Sequence, residues 1–177
     1  MSLRLWQIVP DLSTVDALAE PWQQLYAHST VVATLVLFGH LASLLVAGAL
    51  SVSTEASALR LDPADDGERR RYLRVVSPSR RAIAIALGVA MINGVLLFLA
   101  DLEAFAVSRV FWAKMLLVAL LIANTIVASR LDAHLRGAEH EATIPDDGLW
   151  RRRRVSAWAT AVLWFALVLS GSALANH

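Results

Sequence analysis

His40 lies in the middle of a long apolar segment, in the sequence Phe38-Gly39-His40-Leu41. A histidine at such a depth in a membrane span is suited to be an axial ligand of haem b, a metal ligand or a proton site. The alternative is a neutral histidine that hydrogen-bonds to a neighbouring helix. Met91 lies at similar depth in the next apolar segment, so a His–Met pair of haem ligands is one hypothesis. A bis-histidine haem would need two chains, and methionine is also a common core filler.

Lys114 is the single lysine of the chain and lies about one helical turn inside the third apolar segment. A compact amine on a flexible stem can extend to the membrane surface or stay buried. One interpretation pairs it with Asp101 and Glu103, across a short loop, so that the pair fixes a hairpin of two helices. The other interpretation is contact with an anionic headgroup, a quinone or a haem propionate.

Other polar residues indicate structure more than chemistry. Asn93 and Asn124 are placed to hydrogen-bond between helices, and Asp101 is read as a structural partner. No nucleophile and base occur at a recognisable spacing, so we predict no catalytic residues, and we predict no metal site. The chain has no cysteine, which excludes disulfides, zinc–thiolate sites and iron–sulfur clusters. A net charge of +1 gives no indication of a nucleic-acid partner.

The elements that must position these residues are four apolar segments, at about 30–50, 82–100, 110–128 and 155–174. Each has about 19–21 residues, enough for a helix to cross the ~30 Å hydrocarbon core of a bilayer. The chain is 57% hydrophobic, with a mean hydropathy of +0.56, which is too apolar for an ordinary soluble domain. We therefore predict an all-α polytopic membrane protein, a four-helix transmembrane bundle forming a single membrane domain over 1–177.

The arginines predict the orientation of the bundle in a bacterial inner membrane. Thirteen of the fifteen arginines fall in the connections between segments 1 and 2 and between segments 3 and 4, while only Arg4 and Arg109 fall on the opposite side. The positive-inside rule then places both arginine-rich connections in the cytoplasm and both termini outside. The basic cluster Arg69–Arg71 is read as a topology determinant, with contact to anionic lipid headgroups as the alternative.

Residues 1–28 are polar enough to stay outside the membrane core. A helix start at Ser13 and helical spacing of Val15, Leu18, Trp22 and Tyr26 predict a short amphipathic helix on the outer membrane surface, interrupted by Pro21. A loosely ordered arm is the alternative.

The connecting segments carry further structural signals. After a turn at 61–67, residues 68–75 are predicted to form a short basic helix, and Ser77-Pro78-Ser79 to begin the second span. The loop 101–109 is short, which makes spans 2 and 3 antiparallel neighbours. Span 3 is predicted to continue as a helix beyond the membrane, to about His134 or Glu139, because Leu131, Leu135 and Arg136 continue its helical spacing.

Three segments carry a resemblance to known proteins: Gly39-His-Leu-Ala-Ser-Leu-Leu-Val-Ala-Gly48, Asn93-Gly-Val-Leu-Leu-Phe98 running into Asp101, and Phe111-Trp-Ala-Lys114 with Asn124 downstream. On these residues the chain resembles a family of bacterial four-span inner-membrane proteins, distantly similar to copper-resistance D proteins and to b561-type cytochromes. The resemblance implies a compact bundle with His40, Lys114 and Asn124 as signature positions. It supplies no activity, and of the several histidines of b561-type cytochromes only His40 is matched.

Three functions remain open from the sequence. The first is a non-enzymatic structural or accessory subunit of a larger respiratory or photosynthetic complex, in contact with the lipid bilayer and with other subunits or further copies of itself. The second is a single-haem b or quinone-linked electron-transfer protein that uses His40. The third is a small transporter or metal-handling permease.

Overall fold

The computed structural model describes residues 13–62, 64–140 and 147–174, and these are almost entirely helical. The helices are α1 (Ser13–His28), α2 (Thr30–Arg60), α3 (Asp66–Ala100), α4 (Leu102–Val107), α5 (Arg109–His140) and α6 (Asp147–Leu174). No strand occurs within the described residues. The predicted all-α fold class is therefore confirmed.

Three of the helices, α2, α3 and α5, are long and apolar enough to cross a membrane. The fourth long helix, α6, carries Arg151–Arg154 beside its apolar segment and is not among these three. Helix α2 packs mainly along α3, α5 along α6, and α2 against α6, whereas α3 and α5 touch only sparingly. The order of packing is therefore α3, α2, α6 and α5, and α3 and α5 meet at few positions.

The long helices continue well past their apolar segments on the arginine-rich side. Helix α2 has 31 residues and ends at Arg60. Helix α5 ends at His140, which confirms the predicted extension of span 3. At ~1.5 Å per residue, α2 is about 46 Å long, more than the ~30 Å of a hydrocarbon core. The four helices thus form an extended bundle with one part beyond the apolar segments.

The prediction of a separate basic helix before span 2 is wrong, because α3 is a single helix of 35 residues that runs through Pro78. Its start is capped by Asp65, whose side chain accepts hydrogen bonds from the backbone N–H groups of Gly67 and Glu68. Proline removes one helical hydrogen bond. The helix continues nevertheless because its basic half buries Tyr72, Leu73 and Val76 in the bundle.

The N-terminal helix α1 also runs through its proline, Pro21, and so it is not interrupted there as predicted. It packs on α3 and α2, and the Trp22 indole Nε1 donates a hydrogen bond of 2.8 Å to the carbonyl oxygen of Leu96. This contact holds α1 at the end of the bundle opposite the arginine-rich connections. Its position on an outer membrane surface stays a prediction, and residues 1–12 of the predicted arm lie outside the described residues.

The bundle contains two separate hydrophobic cores. One lies among the apolar segments and consists of Ala47, Ala86, Leu121, Trp164 and Leu167. The other lies in the arginine-rich extension and consists of Ala58, Leu61, Tyr72, Leu73, Val76, Leu135, Trp150 and Ala157. On α2, α3 and α5 the stretch between the two cores carries a largely buried charged residue, and on α6 a buried charged residue lies between Trp150 and Ala157 of the second core.

Candidate functional site: a buried charge layer

Each of the four long helices contributes one buried charge to a layer that borders the core of the arginine-rich extension. The layer consists of Glu55 on α2, Arg80 on α3, Asp132 on α5 and Arg153 on α6. Arg153 contacts both carboxylates, with Nη1 2.6 Å from Glu55 Oε2 and Nε 2.8 Å from Asp132 Oδ1. Arg80 also contacts both, with Nη2 3.0 Å from Glu55 Oε1 and Nε 3.2 Å from Asp132 Oδ2. Every acid is therefore bound by two guanidinium groups, and the layer is electrically neutral.

The layer is almost completely removed from solvent. Exposure of the side chains is 0% for Arg153, 1% for Asp132, 2% for Glu55 and 11% for Arg80. Desolvation of ions costs several kcal/mol each, and only close pairing with good hydrogen bonds offsets it. One terminal nitrogen of Arg153, Nη2, has no hydrogen-bond partner among the described residues, which adds to this cost. A buried ion-pair layer is therefore weak evidence of high stability, although removal of one partner from it is costly.

Tyr72 on α3 completes the layer on the side of the second core. Its hydroxyl donates to Asp132 Oδ1 at 2.9 Å and accepts a hydrogen bond from Arg153 Nε at 3.0 Å. Its ring packs edge-on against Trp150. Tyr72 lies ten residues before the second apolar segment, and burial raises the pKa of its phenol well above the usual value. The phenol thus stays neutral and serves as a donor to Asp132.

The sequence does not predict this layer. In the sequence, Arg80 and Arg153 indicate only topology, and nothing marks Glu55 or Asp132 as their partners. One signal was present: each charge lies at helical spacing from small or apolar residues that are buried. Glu55 precedes the buried Ala58 by three positions, and Arg153 precedes the buried Ala157 by four. A charge on the buried stripe of a helix is a candidate for pairing inside the bundle.

Asn124 joins α5 to α6 in the membrane half of the bundle. Its amide Nδ2 donates to the carbonyl oxygen of Ser156 at 2.9 Å and to Thr160 Oγ1 at 2.8 Å. The Ser156 hydroxyl donates back to Asn124 Oδ1 at 3.1 Å.

Asn93 differs from Asn124, because its amide donates to the carbonyl oxygen of Val89 in the same helix. Its side chain instead packs on Gly39, where an added Cβ would lie 3.0 Å from Asn93 Oδ1.

His40 lies at a close approach of α2 and α3. Its ring Nδ1 is 2.9 Å from the carbonyl oxygen of Ala90, so Nδ1 carries the proton and donates. The ring also packs on Gly94, where a Cβ would lie 3.2 Å from His40 Cε1. Met91 is 46% exposed and lies about 100° around the helix from Ala90. Binding of a haem between His40 and Met91 stays a prediction.

Lys114 is half-buried on α5, within electrostatic range of His40. No ion pair or hydrogen bond of Lys114 occurs within the described part of the chain, so the predicted pairing with Asp101 and Glu103 is not seen there. The short helix α4 explains the difference. It buries Leu102 and leaves the carboxylates of Asp101 and Glu103 exposed on either side.

No group of three or more potential metal ligands occurs among the residues that the structure describes. The comparisons with known proteins add no relative, since no family model, no curated protein and no solved structure matches the chain. The resemblance to the copper-resistance D and b561-type bundles stays a prediction. Function must therefore be inferred from the geometry of the bundle itself.

Proposed function

We propose that the chain is a non-enzymatic structural or accessory subunit of a larger complex in a bacterial inner membrane. In this proposal all four long helices cross the bilayer, both termini lie outside, and the arginine-rich extension lies in the cytoplasm. The observation that supports this proposal is that the buried charged side chains pair with one another. Glu55, Arg80, Asp132 and Arg153 bind one another, whereas a catalytic or transport site needs polar groups turned toward a substrate path.

The open face of α5 supports a role in assembly. Only 6% of the residues in the 18-residue apolar stretch of α5 are buried within the chain, whereas 17% are buried in the corresponding stretches of α2 and α3. Large apolar side chains on this face are exposed, among them Leu116 and Leu120. Lys114, half-buried and unpaired among the described residues, lies on the same helix. Helix α5 therefore offers apolar surface for packing and one ammonium for an acidic group on a neighbouring subunit or lipid.

Purification from its native membrane in a mild detergent tests the proposal. We expect the chain to elute in a complex with other membrane proteins at a fixed stoichiometry. The double variant Leu116→Trp and Leu120→Trp should lose these proteins, because bulky rings on the open face of α5 disturb close helix packing. The control is Leu45→Trp, which places the same ring on an exposed position of α2. It should retain the complex.

Two outcomes would contradict this function. Elution of the wild-type chain as a monomer, or equal loss of partners in both variants, would remove the case for an assembly face on α5. A visible absorption spectrum of the same sample tests the alternative hypothesis of a haem-containing redox protein. A Soret band that shifts on reduction with dithionite, and that disappears in His40→Leu, would make the chain a haem protein in place of an accessory subunit.

A further inference from the structure

A cleft between the inner ends of α2 and α3 combines a cavity with two arginines that have no ion-pair partner among the described residues. Its volume is about 380 Å³. It is lined by polar side chains from both helices and by a strip of valine and leucine: Ser53, Thr54, Ser57, Arg60, Leu61, Glu68, Arg71, Tyr72, Val75, Val76 and Ser79. This volume lies within the range of cavities that hold small ligands.

The charges of the cleft favour an anion. Arg60 and Arg71 are both exposed, and neither has an ion-pair partner among residues 13–62, 64–140 and 147–174. The lining also contains one carboxylate, that of Glu68. Its Oε2 accepts a hydrogen bond of 2.9 Å from the backbone N–H of Asp62. One oxygen of this carboxylate is therefore bound to the backbone of the turn between the helices. The two guanidinium groups remain as the available charged donors, and guanidinium geometry suits phosphate oxygens.

The hydroxyl groups of the cleft can supplement the arginines. The side chain of Ser53 has no hydrogen-bond partner among the described residues. Those of Ser57 and Ser79 donate to carbonyl oxygens one turn back in their own helices, at 2.9 Å and 3.0 Å. Such bonds are weak competitors for a charged acceptor, because a hydrogen bond to an ionised group is roughly twice as strong as one between neutral groups.

The location of the cleft suits an amphipathic ligand. Its residues on α2 begin at Ser53, just after the first apolar segment, and its residues on α3 end at Ser79, just before the second. Val75 in the lining is exposed, and so is Val52, which directly precedes Ser53, so apolar surface borders the cleft. From this juxtaposition we infer that the cleft binds the negatively charged phosphate group of a phosphate ester through Arg60 and Arg71. That chemistry is shared by an anionic phospholipid headgroup and by a soluble phosphate ester.

The test uses the full chain in a neutral detergent, with phosphatidylglycerol, phosphatidylcholine and inorganic phosphate as the probes, and native mass spectrometry to count bound lipid. We expect phosphatidylglycerol to bind at one molecule per chain, in preference to phosphatidylcholine. An arginine near an anionic surface contributes roughly fivefold in affinity, so Arg60→Gln combined with Arg71→Gln should weaken binding by about 30-fold. The matched control neutralises Arg151 and Arg152, which are exposed at the start of α6.

Two further measurements separate the alternatives. Ser57→Trp fills the cleft without changing its charge, and it should also abolish binding, whereas a diffuse attraction to basic residues would be unaffected. Displacement of the lipid by millimolar inorganic phosphate would identify a soluble phosphate ester as a competing source of the anion, and no displacement would identify the lipid. Equal weakening in both arginine pairs, or no preference for phosphatidylglycerol, would overturn the inference.

Discussion

Arg153→Met should lower the free energy of unfolding by about 3–5 kcal/mol, the range observed when one partner of a buried ion pair is removed. The side chain of Arg153 has 0% exposure and binds both Glu55 and Asp132. Without it, two buried carboxylates share only Arg80, and Tyr72 loses the donor that its hydroxyl accepts from. Methionine keeps the apolar volume of the stem, so the loss is one of charge and hydrogen bonds and not of packing.

Dodecyl sulfate titration of the detergent-solubilised protein, followed by circular dichroism, measures this change. The control is Arg152→Met, one position earlier in the chain, where the side chain is exposed. A substitution at such a surface position should change stability by no more than about 0.5 kcal/mol. If both variants unfold at the same dodecyl sulfate concentration as the wild type, the charge layer does not hold the helices together.

Gly94→Leu is expected to cost about 1–3 kcal/mol by over-packing the crossing of α2 and α3. A Cβ at this position would lie 3.2 Å from His40 Cε1, and the rest of a leucine side chain would need space that the imidazole occupies. His40 cannot turn away freely, because its Nδ1 is bound to the carbonyl oxygen of Ala90. The two helices must therefore separate, or this hydrogen bond must break.

Gly88→Leu provides the matched control on the same helix. No atom lies within 4 Å of a Cβ added at Gly88, so leucine there meets open space. Since leucine also has the higher helix propensity, this control should be neutral or slightly stabilising. The same dodecyl sulfate titration compares the two variants. Equal stability would show that α2 and α3 do not approach closely at His40.

The sequence predicted those features that depend on composition and periodicity. Long apolar segments predicted the helices, and the continued spacing of Leu131 and Leu135 predicted that α5 extends past its apolar part. Both follow from local physics, because a helix satisfies its own backbone hydrogen bonds wherever its side chains find an apolar environment. Pro78 led to the wrong prediction of two separate helices where α3 is one. Its local penalty is outweighed by the burial of Tyr72 and Val76, which depends on helices distant in the chain.

The charge layer could not be read from the sequence in the same way. The positive-inside rule counts arginines without regard to the helix face on which they lie. Arg80 therefore looked like its exposed neighbour Arg81, although one is buried between two carboxylates and the other faces outward. Partners of Arg80 lie 25 and 52 positions away, on two different helices. Only the packing of the whole bundle brings these residues to one level.

A double-mutant cycle between Glu55→Gln and Arg153→Met tests most directly whether the buried layer joins the helices. These residues come from α2 and α6 and lie 98 positions apart, so any coupling between them reflects tertiary contact. The free energies of unfolding of the wild type, both single variants and the double variant give the coupling. We predict a coupling of roughly 1–3 kcal/mol, in the range measured for residues within one ion-pair network. Additive effects, within about 0.5 kcal/mol, would contradict a shared buried layer.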